Sequence, residues 1–162
     1  MHLVRRVLAV IVLLVVAVGG THLVRSATAE ADVPTTELAR RSDKNGRLTA
    51  DELTSIGGGY ELRKDAAAAF RKLEKAAKRA DVTWTVNSAY RDHDAQVAMV
   101  EEFGLLSEGG RAAAPGTSEH GLGLSVDLTL DWEEVEWMRE HAADHGFAET
   151  IAEEPWHWTY QP

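Results

Sequence analysis

The sequence predicts a small α+β domain behind an N-terminal export segment. Three observations carry this reading. Helical and strand periodicities alternate unevenly along residues 62–160 rather than as repeated strand–helix units. A basic start followed by an unbroken apolar run marks the N-terminus. The 162 residues, 44% hydrophobic and 27% charged, have a globular composition and suffice for one compact domain but not comfortably two.

Arg5 and Arg6 precede the apolar stretch Val7 to Val18, which meets Gly19-Gly20. Such a stretch rises about 18 Å as a helix, short of the roughly 30 Å hydrocarbon core of a bilayer. Ala27-Thr28-Ala29 supplies a small-residue cleavage site. Residues 1–29 therefore read as a signal peptide, or as a membrane anchor if Leu3 to Val24 is retained, and either places the rest outside the cytoplasm. Residues 30–44, with Pro34 and no apolar period, read as a linker, and 45–162 as the folded domain.

Asp43-Lys44-Asn45-Gly46-Arg47-Leu48 with Glu52 resembles a calcium loop, but Gly46 at the sixth position would put Arg41 at the first, where a carboxylate is needed. A turn followed by Leu48 entering the core is the reading adopted. Gly57-Gly58-Gly59 is a second break. Leu62, Ala66, Phe70, Leu73, Ala77 and Ala80 form a helical stripe with lysines and arginines outside it. Val82 to Val86 alternates as a strand, Asp94 to Phe103 as a helix, and Gly104 to Thr117 as a glycine-rich loop. Leu124 to Leu130 is a further strand. Asp131 with Glu134 forms a capping box for a helix whose inner face is Val135, Met138 and Ala142 and which Gly146 ends. Trp156 to Tyr160 closes the chain as a short strand.

Lys plus Arg is 17 and Asp plus Glu 26, a net charge of −9, which removal of residues 1–29 would take to −12. No residue run reads as a basic groove, so no nucleic-acid partner is expected, and so acidic a protein gains no long-range attraction to an anionic envelope. The absence of cysteine excludes disulfides, thiolate nucleophiles and Cys metal sites.

Any metal must therefore be held by His and carboxylate. His120 lies in Ser118-Glu119-His120-Gly121-Leu122-Gly123, and Asp127 follows on the strand; the two glycines let the loop bend so that both side chains converge. Glu154-Pro155-Trp156-His157 supplies a second His. Two His and one Asp suit zinc with a fourth position left for water. Bound water would lose its proton near pH 7, and Glu154 could take that proton and pass it to a leaving amine. Arg91 could face developing negative charge or a substrate carboxylate. His141 and His145, four apart on one helix, are a rival metal pair, but no Glu follows His141 to act as base, and structural roles are expected. Trp84, Trp132 and Trp137 read as packing residues, whereas Trp156 and Trp158 bracket His157 and could fix its ring or line a cleft.

Taken together, Ser88-Ala89-Tyr90-Arg91 with Gln96, Pro115 to His120 through Asp127, and Glu154-Pro155-Trp156-His157-Trp158 resemble the D-alanyl-D-alanine carboxypeptidase (VanY-type) branch of the M15 zinc peptidases, in order and from about Asn45 to Tyr160. The resemblance implies one zinc per chain on His120, Asp127 and His157, Glu154 as catalytic base, Arg91 on the substrate carbonyl oxygen, and Ser118 and Gln96 lining the substrate pocket. It implies a Hedgehog/DD-peptidase-like antiparallel sheet carrying the metal, and an enzyme that hydrolyses the terminal D-Ala of peptidoglycan stem peptides in the cell envelope; a monomer is expected. Alternatives are a D,D-dipeptidase, an L-Ala–D-Glu endopeptidase, or an inactive wall-binding module, against which the intact Glu154 argues. Two departures stand out. Only six residues separate Phe147 from Glu154, where many relatives have a longer hairpin walling the cleft, and Ser125 stands where Ala is frequent.

Overall fold

A computed structural model describes residues 42–162. The expected export segment, and all but the end of the expected linker, lie outside the described residues. β1 (Leu53–Gly57) and β2 (Tyr60–Arg63) form an antiparallel hairpin that runs directly into α1 (Lys64–Arg79). There follow β3 (Thr85–Ser88), α2 (His93–Phe103), β4 (Ser125–Thr129), α3 (Trp132–His141), β5 (Phe147–Glu149) and β6 (His157–Tyr160). The last four strands make one sheet in the order β3-β4-β6-β5 with every pairing antiparallel, giving the α+β architecture expected.

Several elements differ from the sequence reading for identifiable reasons. The expected helix from Leu62 starts at Lys64, because residues 60–63 pair with β1; Leu62 is fully buried, but as a strand residue whose spacing to Ala66 imitates a helical turn. The Gly57-Gly58-Gly59 break is the tip of this hairpin, and all three glycines take positive φ (97°, 61° and 86°) that other residues rarely adopt. The strand expected at 82–86 begins at Thr85, since the Val82 amide instead donates to Ala77 O and closes α1. β5 was not anticipated; at three residues it is too short to show a period. The capping box is formed as expected: Asp131 Oδ1 accepts from Glu134 N at 2.9 Å, and Glu134 Oε2 from Asp131 N at 2.8 Å.

The core lies between α1 and the four-stranded sheet. Ala66, Ala67, Phe70 and Leu73 of α1 join Leu124, Val126, Leu128, Met138, Phe147 and Trp158 in one buried cluster. Phe70 sits at its centre, its ring 6.2 Å from Trp84 and 5.9 Å edge-on from Phe147. The leucines, valine, phenylalanines and methionine of this cluster each contribute about 1.5–3 kcal/mol on burial, so it dictates which face of the sheet turns inward.

The turn at residues 43–46 braces the loop that carries His120. Asn45 Nδ2 donates to Ser118 O (2.7 Å), Gly46 N to Gly121 O (2.7 Å), and His93 N to Gly46 O (2.9 Å). Gly121 has to be glycine here, because a Cβ would overlap the Asn45 amide oxygen and stand 2.8 Å from Gly46 N. Gly123 ends the short turn of helix that follows Ser118 with φ +65°, and a Cβ there would lie 2.9 Å from Arg63 N.

Gly121→Ala is therefore expected to destabilise the domain by about 1–3 kcal/mol through overpacking. The measurement is the denaturant midpoint at unchanged slope. An unmoved midpoint would show that the 43–46 turn does not press on this loop.

Candidate metal centre

β4 and β6 pair with Asp127 opposite His157, Val126 opposite Trp158, and Ser125 opposite Thr159. Side chains alternate along a strand, so Ser125, Asp127, His157 and Thr159 share one face while Val126 and Trp158 point into the core. His120 reaches the same point from a short 3₁₀ turn, Glu119–Leu122, immediately before β4. The donor atoms of His120, Asp127 and His157 lie within 4.8 Å of one another. Asp127 bridges the two imidazoles, with Oδ2 3.3 Å from His120 Nε2 and Oδ1 2.9 Å from His157 Nδ1.

The outward nitrogen of each ring is also held. His120 Nδ1 donates to Ala89 O at 2.8 Å; a carbonyl only accepts, so this nitrogen carries the hydrogen and Nε2 offers its lone pair. His157 Nε2 lies 3.0 Å from Glu119 Oε2. Burial pushes the His120 pKa down, beyond what Asp127 restores. Burial acts the same way on His157, but Asp127 and Glu119 at its two nitrogens outweigh it and raise the pKa to about 9. For Asp127, burial favours the neutral acid, yet hydrogen bonds to the two imidazoles hold its carboxyl well below the usual range. Two imidazole nitrogens and a carboxylate oxygen thus converge with their orientation fixed from behind, a donor set that suits zinc and leaves a position open.

Ser88-Ala89-Tyr90-Arg91 wraps this centre. Besides the Ala89 contact, Arg91 N donates to His120 O (3.2 Å), and Tyr90 N donates to Glu61 O (2.9 Å). The Arg91 guanidinium donates through Nη2 to Ser88 Oγ (3.0 Å) and through Nη1 to Gln96 Oε1 (2.9 Å). Among the described residues no carboxylate lies within ion-pair distance of it. Burial lowers its pKa and Asp127 partly offsets this.

Gln96, expected to line the substrate pocket, is buried on α2; its amide accepts from Arg91 and donates through Nε2 to Ala113 O (2.7 Å). The role this geometry gives it is orientation of Arg91 and anchoring of the 104–117 loop. Ser118 is buried at the start of the His120 turn, its carbonyl accepting from Asn45 Nδ2 and Gly121 N. Glu154 is half-buried in the turn before β6: its N donates to Ile151 O (3.0 Å) and its carbonyl accepts from His157 N (2.8 Å). It is not part of the converging donor set.

His141 stacks on Trp137 at 4.5 Å and 7°, and its Nδ1 donates to Trp137 O, a packing arrangement in which it forms no metal-ligand group with His145 among the described residues. Trp158 is buried in the core and Trp156 is 45% exposed beside the centre. The sequence reading assigned nothing to two residues that matter here, Glu119 and Asn45. The signal available for Glu119 was its place beside His120 together with the polar alternation of Ser125, Asp127, His157 and Thr159.

Residues 59–162 match the VanY family, described as D-alanyl-D-alanine carboxypeptidase. A D-alanyl-D-alanine carboxypeptidase of Enterococcus faecium is 30% identical over 148 residues, covering 78% of this chain and 48% of that protein. One of Enterococcus faecalis (strain ATCC 700802 / V583) is 28% identical, over 67% of this chain and 52% of that protein. The chain thus spans about half the length of these curated relatives. Among solved structures it is similar to a vancomycin-resistance D,D-pentapeptidase VanY mutant in complex with Zn(II) (TM-score 0.58, 27% identity, 68% of this chain and 79% of that one). It is also similar to VanYB in complex with D-alanine-D-alanine (TM-score 0.60, 26% identity, 68% and 77%).

Gln96→Leu keeps the volume but strands Ala113 O and an Arg91 N–H, which should cost about 1–3 kcal/mol of stability. Denaturation of the variant checks this; a wild-type midpoint would mean that Gln96 does not brace Arg91.

Proposed function

The chain belongs to the VanY family of D-alanyl-D-alanine carboxypeptidases, and from that premise we propose that it is a zinc peptidase acting outside the cytoplasm. Its reaction is removal of the C-terminal D-Ala from peptidoglycan stem peptides. The observation that carries the reading is the convergence of His120, Asp127 and His157, each imidazole tethered on its outward nitrogen. One zinc on these three residues would polarise a water and the scissile carbonyl. Glu154, near the centre but outside the donor set, takes the proton of the attacking water and delivers it to the departing D-Ala amine. Arg91, held by two neutral acceptors, keeps its charge for the oxyanion that develops on the carbonyl. Ser118 lines the pocket, and Gln96 contributes through Arg91. The bond is identified by the free terminal carboxylate of the substrate.

Three outcomes are expected. His120→Ala and His157→Ala should lose zinc and, because binding energy is also folding energy, some stability; full zinc occupancy in both by metal analysis would overturn the ligand assignment. Glu154→Gln keeps size and removes the base, so turnover should fall by roughly 10²–10⁴ with zinc retained. Loss of zinc instead would make Glu154 a ligand, and wild-type turnover would remove it from the mechanism. A pentapeptide ending in D-Ala–D-Ala should be cut roughly ten- to 150-fold better than its amide, the worth of one charge-assisted hydrogen bond. Equal rates, or release of L-Ala from the amino end, would replace the carboxypeptidase reading with the endopeptidase one.

A further inference from the structure

Behind the metal-facing side of His157 lies a buried polar cluster that the proposed reaction does not use directly. Glu119 is buried, its side chain 5% exposed. Its Oε2 is 2.7 Å from Thr159 Oγ1, 2.8 Å from Thr150 Oγ1 and 3.0 Å from His157 Nε2. Thr159 Oγ1 is in turn 2.8 Å from Ser125 Oγ and 3.1 Å from His157 Nε2.

Donor arithmetic fixes the protons. An ionised carboxylate only accepts, so Thr150 and Thr159 spend their single hydroxyl hydrogens on Glu119, and Ser125 donates to Thr159. His157 Nε2 then faces two oxygens, Glu119 Oε2 and Thr159 Oγ1, neither of which has a hydrogen to give it. A bare lone pair on Nε2 would be repelled by both, so Nε2 carries the hydrogen. Nδ1 faces Asp127 Oδ1 at 2.9 Å and holds a hydrogen there too while no cation is present; it is the nitrogen on the side of the converging donors, and a cation among them would displace that hydrogen and take the Nδ1 lone pair. His120 receives its tautomer from a neutral carbonyl, Ala89 O, whereas His157 receives it from a carboxylate, which makes it the more basic of the two rings.

We propose that Glu119 is the positioning residue that sets His157 as an Nδ1 metal ligand, with Thr150, Thr159 and Ser125 holding its carboxylate in place. This rests on the reading of His157 as a ligand. It also gives the Ser125 departure a role, since an alanine there would leave Thr159 one partner fewer.

The test measures zinc affinity by chelator competition, and the ¹⁵N and ¹³C shifts of His157 in the zinc-loaded protein, for wild type, Glu119→Gln, Thr150→Val and His157→Ala. Wild type should show Nδ1 bound to metal and a slowly exchanging Nε2–H. Glu119→Gln removes the charge but keeps an acceptor, so zinc affinity should fall about 10- to 100-fold and the Nε2–H should exchange faster. Thr150→Val, which loosens the carboxylate without touching His157, should weaken zinc about five-fold, the worth of one neutral hydrogen bond, and supplies the reading if the Gln variant does not fold. Wild-type affinity and an unchanged His157 spectrum in either folded variant would overturn the proposal. If His157→Ala itself binds zinc like wild type, the ligand reading falls and this one with it; weak zinc binding in His157→Ala beside wild-type binding in Glu119→Gln overturns the role of Glu119 alone.

Discussion

β4 and β6 pair so that Val126 faces Trp158 on one side of the sheet and Asp127 faces His157 on the other, and these are a single constraint. A slip of one residue would carry every side chain to the opposite face, placing Asp127 among Phe70 and Leu73 and turning Trp158 out to water. The register is therefore held by apolar burial on the face away from the chemistry. Two hydrogen bonds extend the ladder in the same register, Leu128 N to Trp156 O and Tyr160 N to Leu124 O, both at 2.9 Å. The centre does not assemble itself; the core beneath it does the aligning.

On the polar face the difficulty is charge. Asp127 and Glu119 stand on the two sides of one imidazole, and removing carboxylates from water costs several kcal/mol each unless they are paired and hydrogen-bonded. The chain meets this with shared donors. Asp127 lies between the two imidazoles and accepts from His157 Nδ1, and Glu119 takes His157 Nε2 and two threonine hydroxyls. A cation among the three converging donors would complete the balance, which is why metal binding and folding are coupled at such a site.

Much of the centre was legible because its residues carry their chemistry openly. In a chain without cysteine, two histidines and an aspartate near glycines restrict the options for a metal, and the Ser88–Arg91, Ser118–Asp127 and Glu154–His157 segments resemble a family in which they act together. The pairing register was not legible, since sequence shows that a strand alternates but not what lies opposite. Glu119 escaped notice because an acid in a glycine-rich loop ordinarily faces solvent; only the pairing of β4 with β6 reveals the pocket of hydroxyls that receives it. Asn45 escaped for the same reason: its side-chain amide donates to Ser118 O, 73 residues further along the chain. The β1–β2 hairpin was hidden by a coincidence of spacing, as Leu62 to Ala66 satisfies a helical period even though the chain changes structure between them.

The short connection from β5 to β6 bears on how such a site selects its substrate. Only six residues separate Phe147 from Glu154, and the turn between them leaves Ile151 exposed at 38%, with Trp156 beyond it at 45%. The net charge of −9 supplies no field to draw in an anionic peptide from a distance. On the proposed reading, selection would then depend on charge placed beside the reacting bond. Arg91 is suited to this because Ser88 and Gln96 fix its direction while leaving its charge unpaired; had either been a carboxylate, the guanidinium would be neutralised before a substrate arrived. On that reading, an oriented guanidinium with no carboxylate within ion-pair distance among the described residues would favour ligands by the negative charge they bring to one point.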